Sequence, residues 1–453
     1  MALRYAGETL TYADVSGMQD GAAVALQGRG VQRGDRVALV LRDSPEFIAT
    51  FLGAVKIGAI AVPLSTFARP EDLAALQKDC GARVTITGAD SDLLVAGPSS
   101  VDPAPTRPDD PCFWQYSSGT TGTPKAVMHV HARALFPTQG HGWHVARVTA
   151  ADRVYCTGKL FFSYGLGNGM IIPLHAGASV ILDPERFAPE RAWRIIGTER
   201  PTLFYSVPTA YGAMLAAAEA GAPADVSSLR LCISAGEALP APLLERWRKR
   251  FGLPILDGIG STEIGNIAIS NRADDVVPGS SGRVIPGYEA RVVDADGADA
   301  NEGTLWVRGG STAIGYHERP EATAHTFRGA WVVTGDRYRL ADGHFYHLGR
   351  DDDMLRVGAQ WVSPLQVEAV LLEHPDVIEC AVVASPDADG LNRTTAYVVG
   401  RVDRPSLASE LGALCAERLP HHMRPRWIEL VPELPKTATG KIQRFKLRAR
   451  LPS

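Results

Sequence analysis

Residues 116–125 read Tyr-Ser-Ser-Gly-Thr-Thr-Gly-Thr-Pro-Lys, which gathers hydroxyls, two glycines and a lysine into one short loop. Ser117, Ser118, Thr120, Thr121 and Thr123 offer hydroxyl donors and Lys125 a point charge. Gly119 and Gly122 let the backbone approach a phosphate closely. That chemistry suits a polyphosphate such as ATP. The pattern is not the G-x-x-x-x-G-K-[ST] loop that opens a helix, which argues against a P-loop kinase or ATPase. Pro124 also biases Thr123 toward extended angles, so a helix N-terminus is not expected here.

Four further segments carry groups of the same kind: Gly258-Ile259-Gly260-Ser261-Thr262-Glu263, Thr334-Gly335-Asp336, Gly349-Arg350-Asp351-Asp352-Asp353, and Pro435-Lys436-Thr437-Ala438-Thr439-Gly440-Lys441. Each is weak alone. Ser-Thr-Glu is commonly a helix capping box, Thr-Gly-Asp a turn, and Lys441 one cation in a basic tail that also holds Arg444, Lys446 and Arg448. Taken together and in this order, with the loop at 116–125, they resemble the adenylate-forming enzymes. That family includes acyl- and aryl-CoA ligases, stand-alone adenylation enzymes and luciferases. The run Lys159-Leu-Phe-Phe-Ser-Tyr-Gly-Leu-Gly-Asn168 and the closing Lys441-Ile-Gln-Arg-Phe-Lys-Leu-Arg448 are most similar to benzoate-CoA ligases and related aryl-acid enzymes.

The resemblance implies an α/β fold, with a large N-terminal AMP-binding region over 1–350 and a small mobile α+β C-terminal domain over 351–453. It implies ATP and Mg²⁺, with coenzyme A or the phosphopantetheine of a carrier protein as the thiol. Lys441 would neutralise charge at the α-phosphate, Thr262 would touch that phosphate, and Glu263 would hold Mg²⁺, an ion that takes one or two carboxylates plus phosphate oxygens and waters. Asp336 and Arg350 would hold the ribose. Ala235, Gly236 and Glu237, with Asp257 and Gly258, would wall the adenine. Asp352 would be the hinge about which the small domain turns between two half-reactions. Arg356, Gly358, Ala359 and Trp361 would line the pantetheine path, where relatives read Ser-Gly-Ile-Trp and this chain reads Gly358-Ala359-Gln360-Trp361.

The acid pocket implied by aryl-acid relatives consists of Phe162, Ser163, Tyr164, Gly165, Val207, Ile259, Gly260, Ile264 and Asn266. These make a short, flat, mostly apolar slot without an acidic or basic partner for an amino acid's α-groups. Asn266 stands where benzoate-type enzymes tend to carry histidine, and Ser163 where they carry alanine. Both add hydrogen-bonding capacity, which points to a hydroxyl- or amino-substituted benzoic acid. A carrier-protein-loading adenylation enzyme is the nearest alternative, and a non-catalytic nucleotide-binding protein an alternative of another class.

At 453 residues the chain exceeds one ordinary core. Its −4 formal charge gives no bias toward nucleic acid or anionic lipid, so any phosphate affinity must be local. No apolar run of transmembrane length and no signal-type segment before Glu8 is present, which predicts a cytoplasmic protein. Six scattered cysteines without a C-x-x-C pair read as reduced core residues. His129, His131, His141 and His144 crowd one region without a completing acid and read as structural.

Short β-rich runs at Val37–Leu41, Ser179–Leu182 and Leu229–Ile233 alternate with helical periodicity, the pattern of buried strands under covering helices. Ser44 and Pro45 predict a helix start, with Phe47, Phe51, Leu52 and Val55 as its apolar stripe and a polar face outward. Pro98 to Pro111 reads as a connector into the phosphate loop. Ser363-Pro364 predicts a short helix through Leu372 and Val377–Ala384 a strand. The first motifs lie closer to the start of the chain than in the family's longer members.

Overall fold

The computed structural model describes residues 1–90, 100–117, 124–351, 353–357, 360–387, 392–401, 404, 406–436 and 442–448, the side chains of Arg356, Gln360 and Trp361 excepted. Its fold is α/β, as the alternating pattern predicts. A nine-stranded sheet takes the order Arg283–Val284, Ile267–Ser270, Ile255–Gly260, Leu231–Ser234, Leu203–Ser206, Arg153–Cys156, Ser179–Ile181, Leu3–Tyr5, Glu8–Leu10. The strands from Ile255–Gly260 to Leu3–Tyr5 pair in parallel, and antiparallel strands close both ends. A five-stranded sheet runs Ala82–Thr87, Arg36–Val40, Ile60–Pro63, Pro111–Ser117, Lys125–Val130. Its last two strands form an antiparallel hairpin. Pro124 leads into the strand Lys125–Val130 rather than into a helix.

The helix predicted after Ser44 spans Pro45–Lys56, with the Ser44 hydroxyl accepting from Phe47 N at 3.3 Å. Its expected polar face is not outward. Ile48, Ala49, Thr50, Gly53 and Ala54 are buried along with Phe47 and Phe51 of the apolar stripe, because a second helix, Tyr12–Gly28, covers that side. Gly53 is what admits it: a Cβ there would lie 2.9 Å from both Ala23 N and Gln19 O. Periodicity reports one buried face and cannot report a second element that packs on the other.

An antiparallel sheet follows, built on Tyr288–Val293, Glu302–Gly309, Trp331–Ala341 and His344–Arg350. Beyond it come the hairpin Leu355–Val357 with Gln360–Val362, and a three-stranded sheet of Val377–Pro386, Asn392–Gly400 and Trp427–Leu430. The predicted helix at Ser363 spans Pro364–Leu371, capped by the Ser363 hydroxyl accepting from Gln366 N at 3.3 Å. Buried clusters among the described residues contain either residues up to 345 or residues from 355 onward. All six cysteines are buried and unpaired.

One buried ion pair fixes the C-terminal segment that leads out of the 437–441 region. Arg444 Nη2 donates to both carboxylate oxygens of Glu368 at 2.6 and 2.7 Å, and Glu368 Oε1 also accepts from Val382 N at 2.7 Å. The helix Arg444–Arg448 is thereby clamped to the helix Pro364–Leu371 and, through Glu368, to the edge strand Val377–Pro386. Removing one partner of such a pair leaves the other charge buried and uncompensated. Glu368→Ala should destabilise the residues from 355 onward by about 3–5 kcal/mol. Hydrogen exchange of the Val377–Pro386 amides measures it, and unchanged protection there would show that the pair does not hold the segment.

Candidate active site

Two hairpins meet at the site. Ser117 ends the strand Pro111–Ser117 and lies directly opposite Lys125 in the five-stranded sheet. Thr262 and Glu263 sit in the turn between Ile255–Gly260 and Ile267–Ser270 of the nine-stranded sheet. This turn is not the helix start that a Ser-Thr-Glu triplet suggests. Ser261 instead closes it locally, accepting Ile264 N on its hydroxyl at 3.2 Å and Gly265 N on its carbonyl at 2.9 Å.

Glu263 joins the two sheets. Its Oε1 accepts from the Ser117 hydroxyl at 2.9 Å and from the Tyr316 hydroxyl at 2.9 Å. Tyr316 belongs to an extended segment that runs along the strand Lys125–Val130, with Ile314 N donating to Met128 O, Met128 N to Gly315 O and His317 N to Ala126 O at 2.9–3.0 Å. Ala313 N donates to Glu263 O at 2.8 Å, which ties that segment back to the turn. Lys125 Nζ lies 5.3 Å from the centre of the Tyr316 ring, a cation–π distance. Burial, and then the Glu263 charge, push the Tyr316 hydroxyl up, so it stays a donor to the carboxylate. Sequence reasoning missed Tyr316. Its only signal is the preceding Gly315, whose φ of +142° marks an unusual backbone without saying what the next side chain reaches.

Asp336 and Arg350 face one another on adjacent antiparallel strands, Arg350 Nη1 donating to Asp336 Oδ1 at 3.1 Å. Gly335 has φ +72°, the left-handed backbone that turns this strand into position. His347 Nε2 lies 3.9 Å from the same Asp336 oxygen. Burial, with Arg350 and Arg444 nearby, lowers the His347 ring to about 4.

Ala235, Gly236 and Glu237 follow the strand Leu231–Ser234. Ala235 is buried, Gly236 has φ +90°, and Glu237 Oε2 accepts from the Thr209 hydroxyl at 2.7 Å. Asp257, on the neighbouring strand, is buried and its carboxyl is pushed well up by desolvation, against hydrogen bonds from the Leu239 and Gly258 backbone and the Ser234 side chain. A Cβ on Gly258 would lie 2.8 Å from Ile267 and one on Gly260 would lie 2.1 Å from Asn266 O. The hairpin itself demands both glycines.

The segment 159–166 is set by charge pairing beneath it. Asp43 Oδ1 accepts Leu160 N at 2.9 Å while its Oδ2 is 3.8 Å from buried Lys159 Nζ. Burial, partly offset by Lys159, raises the Asp43 carboxyl to about 6. Phe162 packs edge-on against Phe161, and Tyr164 donates to Ser206 O and Ile233 O at 3.1 and 3.2 Å. Gly165 allows the backbone of Lys159 to close in, since a Cβ would lie 2.1 Å from Lys159 O. Val207 lies against Gly236, 3.7 Å from where a Cβ would stand. Ile264 and Asn266 are buried, Ile259 half-buried. Ser118, Gly119, Thr120, Thr121, Gly122, Thr123, Asp352, Gly358, Ala359 and Lys441 lie outside the described residues. Arg356 and Trp361 are opposed on the paired strands Leu355–Val357 and Gln360–Val362.

Ser117, Lys125 and the Glu263 carboxylate are thus brought together, and a second carboxylate, Asp336, is paired to Arg350. Residues 1–317 match the family model of AMP-binding enzymes and residues 366–441 that of the AMP-binding enzyme C-terminal domain, and the chain belongs to this family, the adenylate-forming enzymes. A benzoate-CoA ligase of Thauera aromatica is 41% identical over 93% of this chain and 86% of its own length. A 4-hydroxybenzoate-CoA/benzoate-CoA ligase of Rhodopseudomonas palustris is 37% identical over 92% of this chain and 85% of its own length. Among solved structures, an anthranilate CoA ligase in complex with anthranoyl-AMP superposes with a TM-score of 0.94 at 39% identity, covering 99% of this chain and 93% of that one.

The buried histidine predicts an acid sensitivity. A free imidazole titrates near about 6.5, so between that pH and about 4 the unfolded chain binds a proton at His347 that the folded protein does not. Stability contributed by the neutral ring is then lost as pH falls through this window, by up to about 1.4 kcal/mol per pH unit. His347→Asn should flatten the pH dependence of the unfolding midpoint between pH values of about 6.5 and 4.5. An unaltered slope would show that the ring titrates normally in the folded state.

Proposed function

We propose that this chain is an ATP-dependent aryl-acid ligase that converts a hydroxyl- or amino-substituted benzoic acid to its aryl-AMP and then to the CoA thioester, with release of pyrophosphate and AMP. The observation that carries the reading is the Glu263 carboxylate, held by Ser117 and Tyr316 beside Lys125, together with the Asp336–Arg350 pair. The relatives named above, acting on benzoate, hydroxybenzoate and anthranilate, supply the acid class.

A carboxylate resists thiol attack because resonance and a poor leaving group protect it. Transfer of AMP to one carboxylate oxygen, with pyrophosphate leaving, gives a mixed anhydride whose carbonyl a thiol can attack with AMP as the leaving group. Both steps require charge neutralisation and in-line positioning. Lys125 and residues 117–123 hold the β- and γ-phosphates, while Thr262 touches the α-phosphate. Asp336 and Arg350 hold the ribose hydroxyls, a carboxylate accepting from both. Ala235, Gly236, Glu237, Asp257 and Gly258 wall the base. The Glu263 carboxylate keeps Oε2 outside its two hydrogen bonds, which both fall on Oε1. Among the described residues there is no group of three or more His, Cys, Asp or Glu that would cage a metal, and Mg²⁺ fits a single carboxylate completed by phosphate oxygens and waters. Mg²⁺ held there supplies neutralisation of the phosphate charge.

In this reading Phe162, Ser163, Tyr164, Gly165, Val207, Ile259, Gly260, Ile264 and Asn266 hold the aromatic acid, and Ser163 and Asn266 favour a polar ring substituent. Residues 1–350 and 351–453 act as two domains that turn about Asp352 between the half-reactions. Arg356, Gly358, Ala359 and Trp361 line the thiol's path. No helix among the described residues is long and apolar enough to cross a membrane, and six buried unpaired cysteines suit the cytoplasm.

Mass-spectrometric detection of products from the protein with ATP, Mg²⁺ and a panel of benzoic acids, with and without CoA, tests the reading. Aryl-CoA from substituted acids is the expected result. Aryl-AMP accumulating without aryl-CoA would instead mark a carrier-protein phosphopantetheine as acceptor. Lys441→Ala should cost adenylate formation about 2.7–4 kcal/mol in activation free energy while largely sparing thioester formation from supplied aryl-AMP. Equal loss in both half-reactions would exclude a lysine that serves only the first.

A further inference from the structure

Beneath the slot residue Ser163 lies a cavity of ≈ 10 Å³, about the least space that accepts one water-sized group. Its walls come from one sheet and the segments packed on it. Phe113, Gln115 and His129 belong to the hairpin of the five-stranded sheet, and Gly167 and Gly265 to the segments around the slot. Gln115 and His129 are each only 2% exposed, yet Gln115 Nε2 and His129 Nε2 make no hydrogen bond to a described residue. Asn266 is 5% exposed and its Nδ2 is likewise unbonded, lying 2.2 Å from where a Cβ on Gly167 would stand.

Buried polar atoms without partners are uncommon, because each forfeits its hydration without return. Two on the wall of one small space, with a third on Asn266 beside Gly167, under a slot shaped for an aromatic ring, point to a polar atom delivered by the ring. We propose that this cavity is the far end of the acid slot, where Gln115 and His129 receive a hydroxyl or neutral amino substituent and select substituted acids over benzoate. The inference rests on the aryl-acid reading above and adds two specificity-determining residues to it.

Size and charge narrow the ligand. The space admits a single heavy atom and excludes a carboxyl or methoxy group. Arg133, also on the wall, disfavours a cationic substituent. The His129 ring is lowered to about 4 by burial and is neutral at pH 7; its bond to the Thr262 backbone uses the ring N–H, which leaves Nε2 as an acceptor. Its orientation is fixed by stacking on Phe113, with centroids 4.6 Å apart and planes 13° from parallel. Gln115 adds an NH₂ donor. A hydroxyl or an arylamine, each both donor and acceptor, satisfies this set, whereas the bare C–H of benzoate satisfies none of it. Sites built to hydrogen-bond a substrate group discriminate strongly against the analogue that lacks it.

The test is kcat/KM of the full chain with ATP, Mg²⁺ and CoA for benzoate and for its 2-, 3- and 4-hydroxy and amino derivatives. Wild type is compared with Gln115→Met and His129→Phe, the latter retaining a ring to stack on Phe113. The best substituted acid should exceed benzoate in the wild type, and its advantage should fall about 10-fold or more in each variant. A structural role would lower all acids together and leave that ratio in place, which would overturn the proposal, as would a wild type that uses benzoate as well as every substituted acid. Should either variant fail to fold, judged by its thermal midpoint, the ratio is read from the other and from Ser163→Ala. Absence of acid-dependent pyrophosphate exchange with every aromatic acid would overturn the aryl-acid reading itself, and this inference with it. Exchange with an unaltered ratio would overturn only the inference.

Discussion

A carboxylate shared between two sheets is the constraint on which the site depends. Glu263 stands on a turn of the nine-stranded sheet, Ser117 at the end of a strand in the five-stranded sheet, and Tyr316 on a segment laid against that second sheet. Both hydroxyls donate to the same oxygen. The negative charge is thus fixed in direction by two donors from the other sheet. The phosphate loop begins at Ser117, so the pair that locks the sheets together also fixes where the loop starts.

The rest of the site is arranged by the same economy of backbone. The glycines at 165, 258 and 260 leave no room for a Cβ because neighbouring backbone occupies it. Their smallness therefore serves chain packing first, and the flatness of the slot follows from that packing. Asp43 and Lys159, buried below, set the segment that carries Phe162, Ser163 and Tyr164. Asp336 and Arg350 are paired across two strands, so the antiparallel register itself sets their spacing.

The C-terminal elements obey a separate logic. Their buried clusters contain only residues from 355 onward, and the Glu368–Arg444 pair ties the last described helix to that core.

The order of motifs, the α/β alternation and the helix starts at Ser44 and Ser363 were legible in the sequence, because a Gly-hydroxyl-Lys loop, a Ser-Pro start and buried β-branched runs are local features with local causes. Tyr316, Gln115 and His129 were not, since nothing adjacent to them marks a role; each acquires one only when strands distant in sequence bring it to Glu263 or to Ser163. The polar face expected of the helix Pro45–Lys56 failed for the same reason. Sequence alone determines which groups are available and which backbone angles they favour. Which of them touch, which lose their water and which are left with a hydrogen bond to give is decided by packing between elements far apart in the chain, and tertiary structure alone decides that.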